Sequence, residues 1–401
     1  MAILAVNAGS SSLKFSLHPL AQDGETGAAA LTGVIEGLEP QGMPRMRWRD
    51  GASRHERALP AGDGEPFARA LAALRAWLQA SGVPAPQAVA HRVVHGGAEF
   101  SASVFVDAAV LERLQRFNSL APLHQPHNLA GIRAFMGAFS RVPQVACFDT
   151  AYHAGAPALH QAFALPPALT AQGVRRYGFH GLSYQYIIGE LLARSARARG
   201  RTLMAHLGNG ASLCAAMDGR SIASTMGFSA LDGLMMGSRS GALDPGVLLY
   251  LMEQGWSHAR IERLLYKDSG LLGVSGLSAD MRTLRADGSA DARRAIDLFT
   301  HRVVRESGAM VACLQGLDVL AFSGGIGEHD AALRADACAA LGWLGVQMDA
   351  AANAAAANAA AAGESAVAIH APGSAVEVWV VPTDEGRVAA REAAALLKGR
   401  A

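Results

Sequence analysis

The chain has 401 residues, of which 51% are hydrophobic and 17% charged. This balance excludes a wholly disordered protein and predicts two or three domains with large buried cores. The 35 Lys and Arg residues nearly cancel the 34 Asp and Glu residues, and the formal net charge of +1 excludes a long-range field for nucleic acid or an anionic membrane. Any phosphate-binding site must therefore be local.

The first half of the chain alternates strand and helix patterns. Apolar runs on either side of a polar turn predict a β-hairpin over residues 1–20. Apolar residues at helical spacing predict an amphipathic helix over 66–79. The other predicted elements are a strand near 46–48, a buried strand ending at 92–94, a helix over 107–117, a loop around 122–126, a helix over 129–139 and a strand over 144–148.

The second half repeats this scheme, which predicts an α/β fold with helices over a mixed sheet. Ala-rich residues 350–362 predict a small-residue helix or a loop. The other predicted elements are a hairpin over 202–217, helices near 245–254, 258–266 and 290–315, a buried strand over 318–322, a strand over 376–381 and a final helix to about residue 398.

Cysteine usage predicts a reducing compartment. The four cysteines form no C-x-x-C pair, and each has apolar neighbours, which is typical of buried reduced thiols. The N-terminus lacks the basic region of a signal peptide, and no stretch reaches the ~18 apolar residues of a membrane span. We therefore expect a cytoplasmic protein. The four residues are Cys147, Cys214, Cys313 and Cys338.

Two similar Gly/Ser turns follow apolar strands. Residues 7–14 read Asn-Ala-Gly-Ser-Ser-Ser-Leu-Lys, and residues 206–212 read His-Leu-Gly-Asn-Gly-Ala-Ser. Gly permits a close approach of the backbone to a ligand, and hydroxyl and backbone N–H groups bind phosphate oxygens. Lys14 is one of only three lysines, which suggests that a compact charge is needed there. The repeat predicts two similar halves with a nucleotide in the cleft between them.

Further glycine-rich and basic segments indicate an anionic ligand. Three glycines at 324–327, after a buried strand, would let the backbone lie against an adenine or ribose, and a plain tight turn is the alternative. Arg92 and Arg239 lie close to glycines, a setting that suits bidentate binding of a carboxylate or phosphate. For either arginine alone, a structural ion pair is the alternative.

Two carboxylates and one histidine complete the candidate set. Asp149 follows four apolar residues at a strand end, where it could bind magnesium or position a nucleophile. Glu385 is a second candidate of this kind, and for both a helix N-cap is the alternative. His180, between Phe179 and Gly181, could contact a transferring phosphoryl group. The sequence contains neither a P-loop motif nor paired Cys/His metal spacing.

Taken together, these segments resemble the acetate kinase family over nearly the whole chain. The matching segments are residues 7–14, 91–97, 175–181, 206–212, 226–228, 233–241, 269–273, 325–328 and 382–385. The resemblance implies the duplicated fold of sugar kinases and actin-like ATPases (ribonuclease H-like), with the active site in a cleft between the domains. It also implies a domain of residues 1–150 completed by 386–401, a second domain of residues 151–385, and a homodimer.

The activity implied by the resemblance is reversible, in-line phosphoryl transfer from ATP to acetate with Mg²⁺, or Mn²⁺ in its place. Arg92 and Arg239 would hold the acetate and the phosphoryl oxygens, His180 would stabilise the transition state, and Asp149 would position metal or nucleophile. Mg²⁺ would be bound by Asn7 and Glu385. The methyl group would contact Val94, Leu123, Phe179 and Ala230. The nucleotide and its phosphates would contact Ser10, Ser12, Lys14, His206, Leu207, Gly208, Asn209, Gly210, Asp280, Met281, Arg282, Gly325, Ile326, Gly327, Glu328 and His329.

Some residues depart from the family pattern. Ala230 replaces a usual Pro, which would make the methyl pocket roomier, whereas Val94 favours the smaller acid. His329 replaces a usual Asn and affects the expected ATP or GTP preference, and Tyr184 replaces a usual His. The alternatives are therefore a propionate or broader short-chain acyl kinase and, more remotely, an actin-like ATPase without a small acceptor or an inactive homologue.

Overall fold

The computed structural model describes residues 1–9, 11–39, 42–59, 65–122, 124–358 and 365–400. The chain divides into two compact units, Met1–Tyr152 with Asp384–Ala401, and His153–Thr383, which we call unit one and unit two. Glu385, which the sequence analysis assigned to the C-terminal domain, belongs to unit one.

Both units contain strands and helices. The strands are β1 (Ala2–Ala8), β2 (Ser12–Pro19), β3 (Leu31–Glu36), β4 (Arg45–Asp50), β5 (Ser53–Ala58), β6 (Pro86–Val93), β7 (Val104–Phe105), β8 (Gln144–Phe148), β9 (Thr202–Leu207), β10 (Ala211–Met217), β11 (Arg220–Ser224), β12 (Val319–Ser323), β13 (Val367–Ala368) and β14 (Glu377–Val380). The helices are α1 (Pro66–Ala80), α2 (Ala108–Gln115), α3 (Gln125–Ala138), α4 (Ala158–Gln161), α5 (Pro167–Ala171), α6 (Gly181–Leu192), α7 (Pro245–Glu253), α8 (His258–Lys267), α9 (Gly270–Ser275), α10 (Met281–Asp287), α11 (Ala290–Leu314), α12 (Gly324–His329), α13 (Ala331–Ala340), α14 (Ala350–Ala356) and α15 (Glu385–Lys398).

The two sheets share one topology. Unit one has the strand order β5-β4-β3-β2-β1-β6-β8-β7, and unit two has β11-β10-β9-β12-β14-β13. In each sheet an antiparallel meander, of five strands (β1 to β5) in unit one and of three (β9 to β11) in unit two, continues through its first strand into two parallel strands, β6 and β8 or β12 and β14. This repeat confirms the predicted α/β class and the duplication inferred from the two Gly/Ser turns.

Helices cover the central strands of unit one. On one face, α1 places Leu71, Leu74 and Leu78 in the core, and the ring of Trp77 lies 6.1 Å from that of Phe15 on β2. The C-terminal helix α15 packs on β1 and β6 through small residues such as Ala389. The start of α15 lies near the carboxyl end of β6, because Glu385 Oε2 is 3.3 Å from Arg92 Nε.

The structure confirms most predicted elements, and three of the differences bear on the candidate site. Helix α3 begins at Gln125, inside the predicted loop, because the proline that follows occupies the first turn, where proline is tolerated. Helix α6 was not predicted, because it is buried on most sides and has little amphipathic periodicity. The predicted glycine turn is the start of helix α12: Gly324 has φ +76°, and a Cβ there would lie 2.6 Å from the Leu207 carbonyl oxygen.

The cysteines are free thiols, as predicted. Cys147, Cys214 and Cys338 are buried and Cys313 is half-buried. Burial raises the pKa of each of the three buried thiols to about 12. In the part of the chain that the structure describes, no helix combines the length and apolar character needed to cross a bilayer.

Candidate functional site

In unit one, Arg92 is held by two carboxylates at the carboxyl ends of parallel strands. Its Nε donates to Asp149 Oδ1 at 3.0 Å, and its Nη2 donates to Asp149 Oδ2 at 2.5 Å. Nε also lies 3.3 Å from Glu385 Oε2 at the start of α15. The backbone N–H of Asp149 donates to the Val93 carbonyl at 3.0 Å, so strand pairing sets the position of the carboxylate. This fork-to-fork arrangement fixes the plane of the guanidinium.

Burial controls the protonation of this cluster. The side chain of Asp149 is 2% exposed, against 19% for Arg92 and 25% for Glu385. Burial raises the pKa of Asp149 to about 7; Arg92 opposes the rise, and the negative charge of Glu385 adds to it. Burial acts to lower the pKa of Arg92, but attraction to the two carboxylates outweighs burial and raises it. Arg92 is therefore a permanent cation, and part of its side chain is exposed.

A cavity of about 830 Å³ in unit one brings several predicted residues together. Its lining includes Asn7, Lys14, Arg92 and Glu385. Asn7 and Lys14 are opposite each other in the β1–β2 hairpin, and the backbone N–H of Gly9 donates to the Ser12 carbonyl at 2.8 Å to close the turn. Two further predicted residues, Ser10 and Leu123, lie outside the described residues.

Val94 is buried just beyond β6 and is anchored by a residue that the sequence analysis did not identify. Asn128 Oδ1 accepts from the Val94 N–H at 3.0 Å, and its Nδ2 donates to the Ala8 carbonyl at 2.8 Å. Asn128 thus ties the end of β1 to the end of β6. No motif signals it, because its position on α3 becomes meaningful only when the two strands are adjacent.

In unit two, His180 lies at the N-terminus of α6 in a left-handed conformation, with φ 59°. Its Nδ1 is 2.9 Å from Ser212 Oγ, and its ring stacks on His206 with centroids 4.3 Å apart. The carbonyl of the preceding residue, Phe179, accepts from His153 Nε2 at 2.9 Å, and Phe179 itself is 2% exposed. These contacts hold a strained backbone conformation that a histidine rarely adopts.

Gly210 marks the point where His180 and Arg239 converge. A Cβ at Gly210 would lie 3.3 Å from His180 Nε2 and 3.8 Å from Arg239 Nη1. The same Arg239 nitrogen donates to the Ala230 carbonyl at 2.9 Å. Ala230 therefore orients Arg239 through its backbone, a contact that the sequence does not reveal.

A second cavity, of about 950 Å³, gathers most residues of the predicted nucleotide side. The predicted residues that line it are Gly208, Asn209, Asp280, Met281, Arg282, Gly325, Ile326 and His329. Arg285 and Asp330 also line it, and they pair with each other at 3.1 Å. Neither was identified from the sequence, because both lie outside the glycine-rich motifs. Asp280 caps α10, and its pKa is lowered to about 2 by hydrogen bonds from Arg282.

The other predicted nucleotide residues of unit two are not among the described residues that line this cavity: His206, Leu207, Gly210, Gly327 and Glu328. Glu328 Oε1 accepts from the backbone N–H groups of Gly324 at 2.9 Å and Thr383 at 3.2 Å. Burial raises the pKa of Glu328, and those hydrogen bonds oppose the rise. Its carboxylate thus holds the glycine backbone in place.

The oxygen donors of unit one fit a magnesium ion. Mg²⁺ prefers amide and carboxylate oxygens, keeps several waters, and commonly uses one or two carboxylates plus substrate phosphates. Asn7 and Glu385 line the same cavity, and Glu385 is only 25% exposed. Within the described ranges, no group of three or more His, Cys, Asp or Glu side chains is placed to hold a metal. The fit is therefore to an ion shared with phosphate and water.

Comparisons with known proteins point to one family. Residues 2–391 match the model of the Acetokinase family. The chain is 49% identical to an acetate kinase of Rhodopseudomonas palustris (strain ATCC BAA-98 / CGA009), covering 99% of this chain and 98% of the relative. It is 46% identical to an acetate kinase of Methylocella silvestris, covering 98% of both.

Solved structures agree with the sequence comparisons. A propionate kinase from Francisella tularensis subsp. tularensis SCHU S4 has a TM-score of 0.86 at 34% identity and covers 98% of both chains. Porphyromonas gingivalis acetate kinase has a TM-score of 0.84 at 33% identity and covers 99% of both chains.

Proposed function

The chain belongs to the Acetokinase family, and on that premise we propose that it transfers a phosphoryl group reversibly from ATP to acetate, giving acetyl phosphate and ADP. The observation that best supports this activity is the Arg92 cluster. A permanently charged guanidinium, fixed by Asp149 and Glu385, lines one cavity with Asn7 and Lys14. This arrangement suits small anions and phosphate oxygens.

The reaction itself demands little proton transfer. A carboxylate oxygen of acetate attacks the γ-phosphorus, and the bond from phosphorus to the bridging oxygen breaks, so that ADP leaves with the electron pair. Because acetate is already an anion, the protein's contribution is positioning and neutralisation of charge. We assign Arg92 to an anionic oxygen of the substrates and Asp149 to the orientation of Arg92.

We assign the groups around Gly210 to the transferring phosphoryl group. Arg239, held by the Ala230 carbonyl, supplies a fixed positive charge, and His180 would act through Nε2, which approaches the same point. Preorganised donors of this kind contribute most where charge develops in the transition state. Asn7 and Glu385 would hold Mg²⁺, which when bound neutralises charge on the phosphate oxygens.

We assign the second cavity to the adenosine part of ATP. Gly208 and Gly325 contribute backbone without side chains, and apart from its chain neighbours and its own helix backbone, no described atom lies within 4 Å of a Cβ placed at Gly325. A flat ligand can therefore lie against this backbone. His329, which replaces the expected Asn, lines the same cavity and would influence the choice between ATP and GTP.

Propionate is the second candidate acceptor. One structural relative at 34% identity is a propionate kinase, and Ala230 replaces the expected Pro. One methylene in an apolar pocket changes discrimination by only about 1–3 kcal/mol. The family resemblance implies that Val94, which is buried and fixed by Asn128, favours the smaller acid. We therefore propose acetate as the preferred acid and propionate as a slower one.

We also propose that the protein acts as a homodimer that uses α7. This helix has large, solvent-exposed apolar side chains: Leu249 is 62% exposed, Tyr250 58% and Met252 53%. An apolar surface of this kind marks an interaction site, and a second copy of the chain is the partner that the resemblance implies. Leu249→Glu is expected to halve the mass measured by light scattering. The control is Trp343→Glu, which should leave the mass unchanged, because Trp343 is 71% exposed but lies outside α7. A monomeric unaltered protein would contradict the proposal.

The activity is tested by trapping acyl phosphate with hydroxylamine in the presence of ATP and Mg²⁺, with acetate, propionate and butyrate compared by kcat/KM. We expect acetate to lead and Arg92→Ala or Arg239→Ala to lower kcat by about 100-fold or more. The matched control is Arg201→Ala, because Arg201 also forms a two-pronged pair with Asp318, at 2.9 and 2.6 Å, outside either cavity's described lining. ATP hydrolysis without any acyl phosphate would instead support an actin-like ATPase.

A further inference from the structure

We propose that Tyr184 and Ser212 are positioning residues that fix His180 as the neutral tautomer with its proton on Nε2. The role of that proton in phosphoryl transfer rests on the proposed function. The tautomer itself is a property of the protein without substrate.

Three side chains of unit two form a short relay. Tyr184 Oη lies 2.5 Å from Ser212 Oγ, and Ser212 Oγ lies 2.9 Å from His180 Nδ1. Tyr184 and Ser212 are both 0% exposed. Tyr184 follows His180 by one helical turn, and its backbone N–H donates to the His180 carbonyl at 3.0 Å. Helix α6 and strand β10 therefore hold all three groups in register.

The direction of the protons follows from the chemistry of the phenol. Burial raises the pKa of Tyr184 well above its usual range, so the phenol keeps its proton; its contacts with Ser212 and with the backbone of His206 oppose the rise. With the His206 backbone group donating to the phenol oxygen, the phenol proton points to Ser212 Oγ. The Ser212 hydroxyl then donates its own proton to His180 Nδ1. An imidazole that accepts at Nδ1 carries its proton on Nε2.

The surroundings of the ring favour the same neutral form. His180 stacks on His206 at 4.3 Å between ring centroids, and Nε2 approaches the same point above Gly210 as Arg239 Nη1. A positive imidazolium would be repelled by the Arg239 guanidinium, whereas a neutral ring is not. Under the proposed function, Nε2–H is the donor that meets the phosphoryl oxygen, and Tyr184 acts on it through Ser212 without touching substrate.

The relay is tested by ¹⁵N NMR of the histidine-labelled, full-length protein without ligands, with His180 assigned by its loss in His180→Gln. We expect a protonated Nε2 and an unprotonated Nδ1 in the unaltered protein. Tyr184→Phe and Ser212→Ala should each give a mixture of tautomers. Both should lower kcat about 10-fold or more while the KM values for ATP and acetate change less than about twofold.

The control is Tyr186→Phe, which removes another buried hydroxyl from the same helix, at a residue 4% exposed. Circular dichroism of each variant identifies any variant that fails to fold. If Tyr184→Phe fails to fold, Ser212→Ala still tests the inference. The inference would be overturned if His180 Nδ1 carried the proton in the unaltered protein. It would also be overturned if both relay variants had the same His180 tautomer as the unaltered protein. Absence of acyl phosphate formation would contradict only the proposed function, because the NMR readout needs no substrate.

Discussion

Arg334 provides the sharpest test of how unit two is held together. Its side chain is completely buried, and it makes no ion pair among the described residues at 4.0 Å or less. Instead it donates to four oxygens: Asn353 Oδ1 at 2.7 Å, and the carbonyls of Gly327, Glu328 and Asn353 at 2.8 Å each. Two of these carbonyls end helix α12 and would otherwise be orphans of its last turn. Arg334 therefore acts as a buried C-terminal cap.

Replacing Arg334 by Met keeps an unbranched apolar side chain and removes every donor. Four buried acceptors at about 1 kcal/mol each, the low end for an unsatisfied group, amount to about 4 kcal/mol. Burial lowers the pKa of Arg334, and relief of that unfavourable burial offsets part of the loss. We expect unfolding in urea to show a loss of about 3 kcal/mol. We also expect KM for ATP to rise more than KM for acetate, because Gly325, Ile326 and His329 of α12 line the second cavity.

The control is Arg199→Met, because Arg199 is 71% exposed and pairs with Asp218 at the surface. Such pairs contribute about 0–1 kcal/mol, so this variant should unfold almost like the unaltered protein. A loss below about 1 kcal/mol in Arg334→Met would refute the capping argument. Equal changes in the two KM values would refute the link from Arg334 to the nucleotide cavity.

Three further predictions use other parts of the structure. Gly210→Ala should lower kcat about 10-fold with little change in stability, because the new methyl group enters the space between His180 and Arg239; unchanged kcat would contradict the convergence described above. The folded pKa of Asp149, about 7, lies above its usual value, so this group stabilises the fold most below about pH 4 and less as pH rises through 7. Stability measured from pH 4 to 8 should accordingly depend less on pH in Asp149→Asn, and an identical slope would count against this burial effect. With a thiol reagent, half-buried Cys313 should react in a fast phase, and the three thiols with pKa values near 12 should react only on unfolding. The fast phase should be absent in Cys313→Ala.

Local patterns predicted the hairpins and most strands because apolar runs bounded by Gly and Ser are informative over short distances. The same reasoning failed for α6, whose residues are buried on several sides, and for β5, whose six residues are all exposed. Neither has the one-sided burial on which periodicity depends. Sequence patterns predicted the strand β4 before β5 and the hairpin after α6, but neither β5 nor α6 itself.

Candidate residues within a sequence motif could be predicted, whereas those defined only by tertiary contacts could not. Glycine-rich segments led to Gly208 and Gly325, but Arg285 became visible only through its pairing with Asp330 across the second cavity. Arg334 had one weak signal, an arginine next to Leu333 on the buried face of α13. Even that signal says only that the charge is buried, not that it caps the preceding helix.

The shared strand order explains why each unit has its candidate residues at one edge. Asn7 and Arg92 lie near the carboxyl ends of β1 and β6, and Gly208 and Gly325 follow the equivalent strands β9 and β12. Open α/β sheets bind ligands at this edge because the parallel strands end there together. Duplication therefore supplied the same location twice, and the residue types distinguish the two copies.

Charged side chains occupy that edge in unit one, where Arg92 is engaged by two carboxylates and lines a cavity of about 830 Å³. Glycines occupy it in unit two, where the missing side chains contribute to a cavity of about 950 Å³. A drug-sized ligand needs about 300–1,000 Å³, so the second cavity is large enough for a nucleoside. Under the proposed function, the charged edge of unit one would serve the ends of the reactants that carry charge, and the glycine edge of unit two would serve the flat, largely apolar part of ATP.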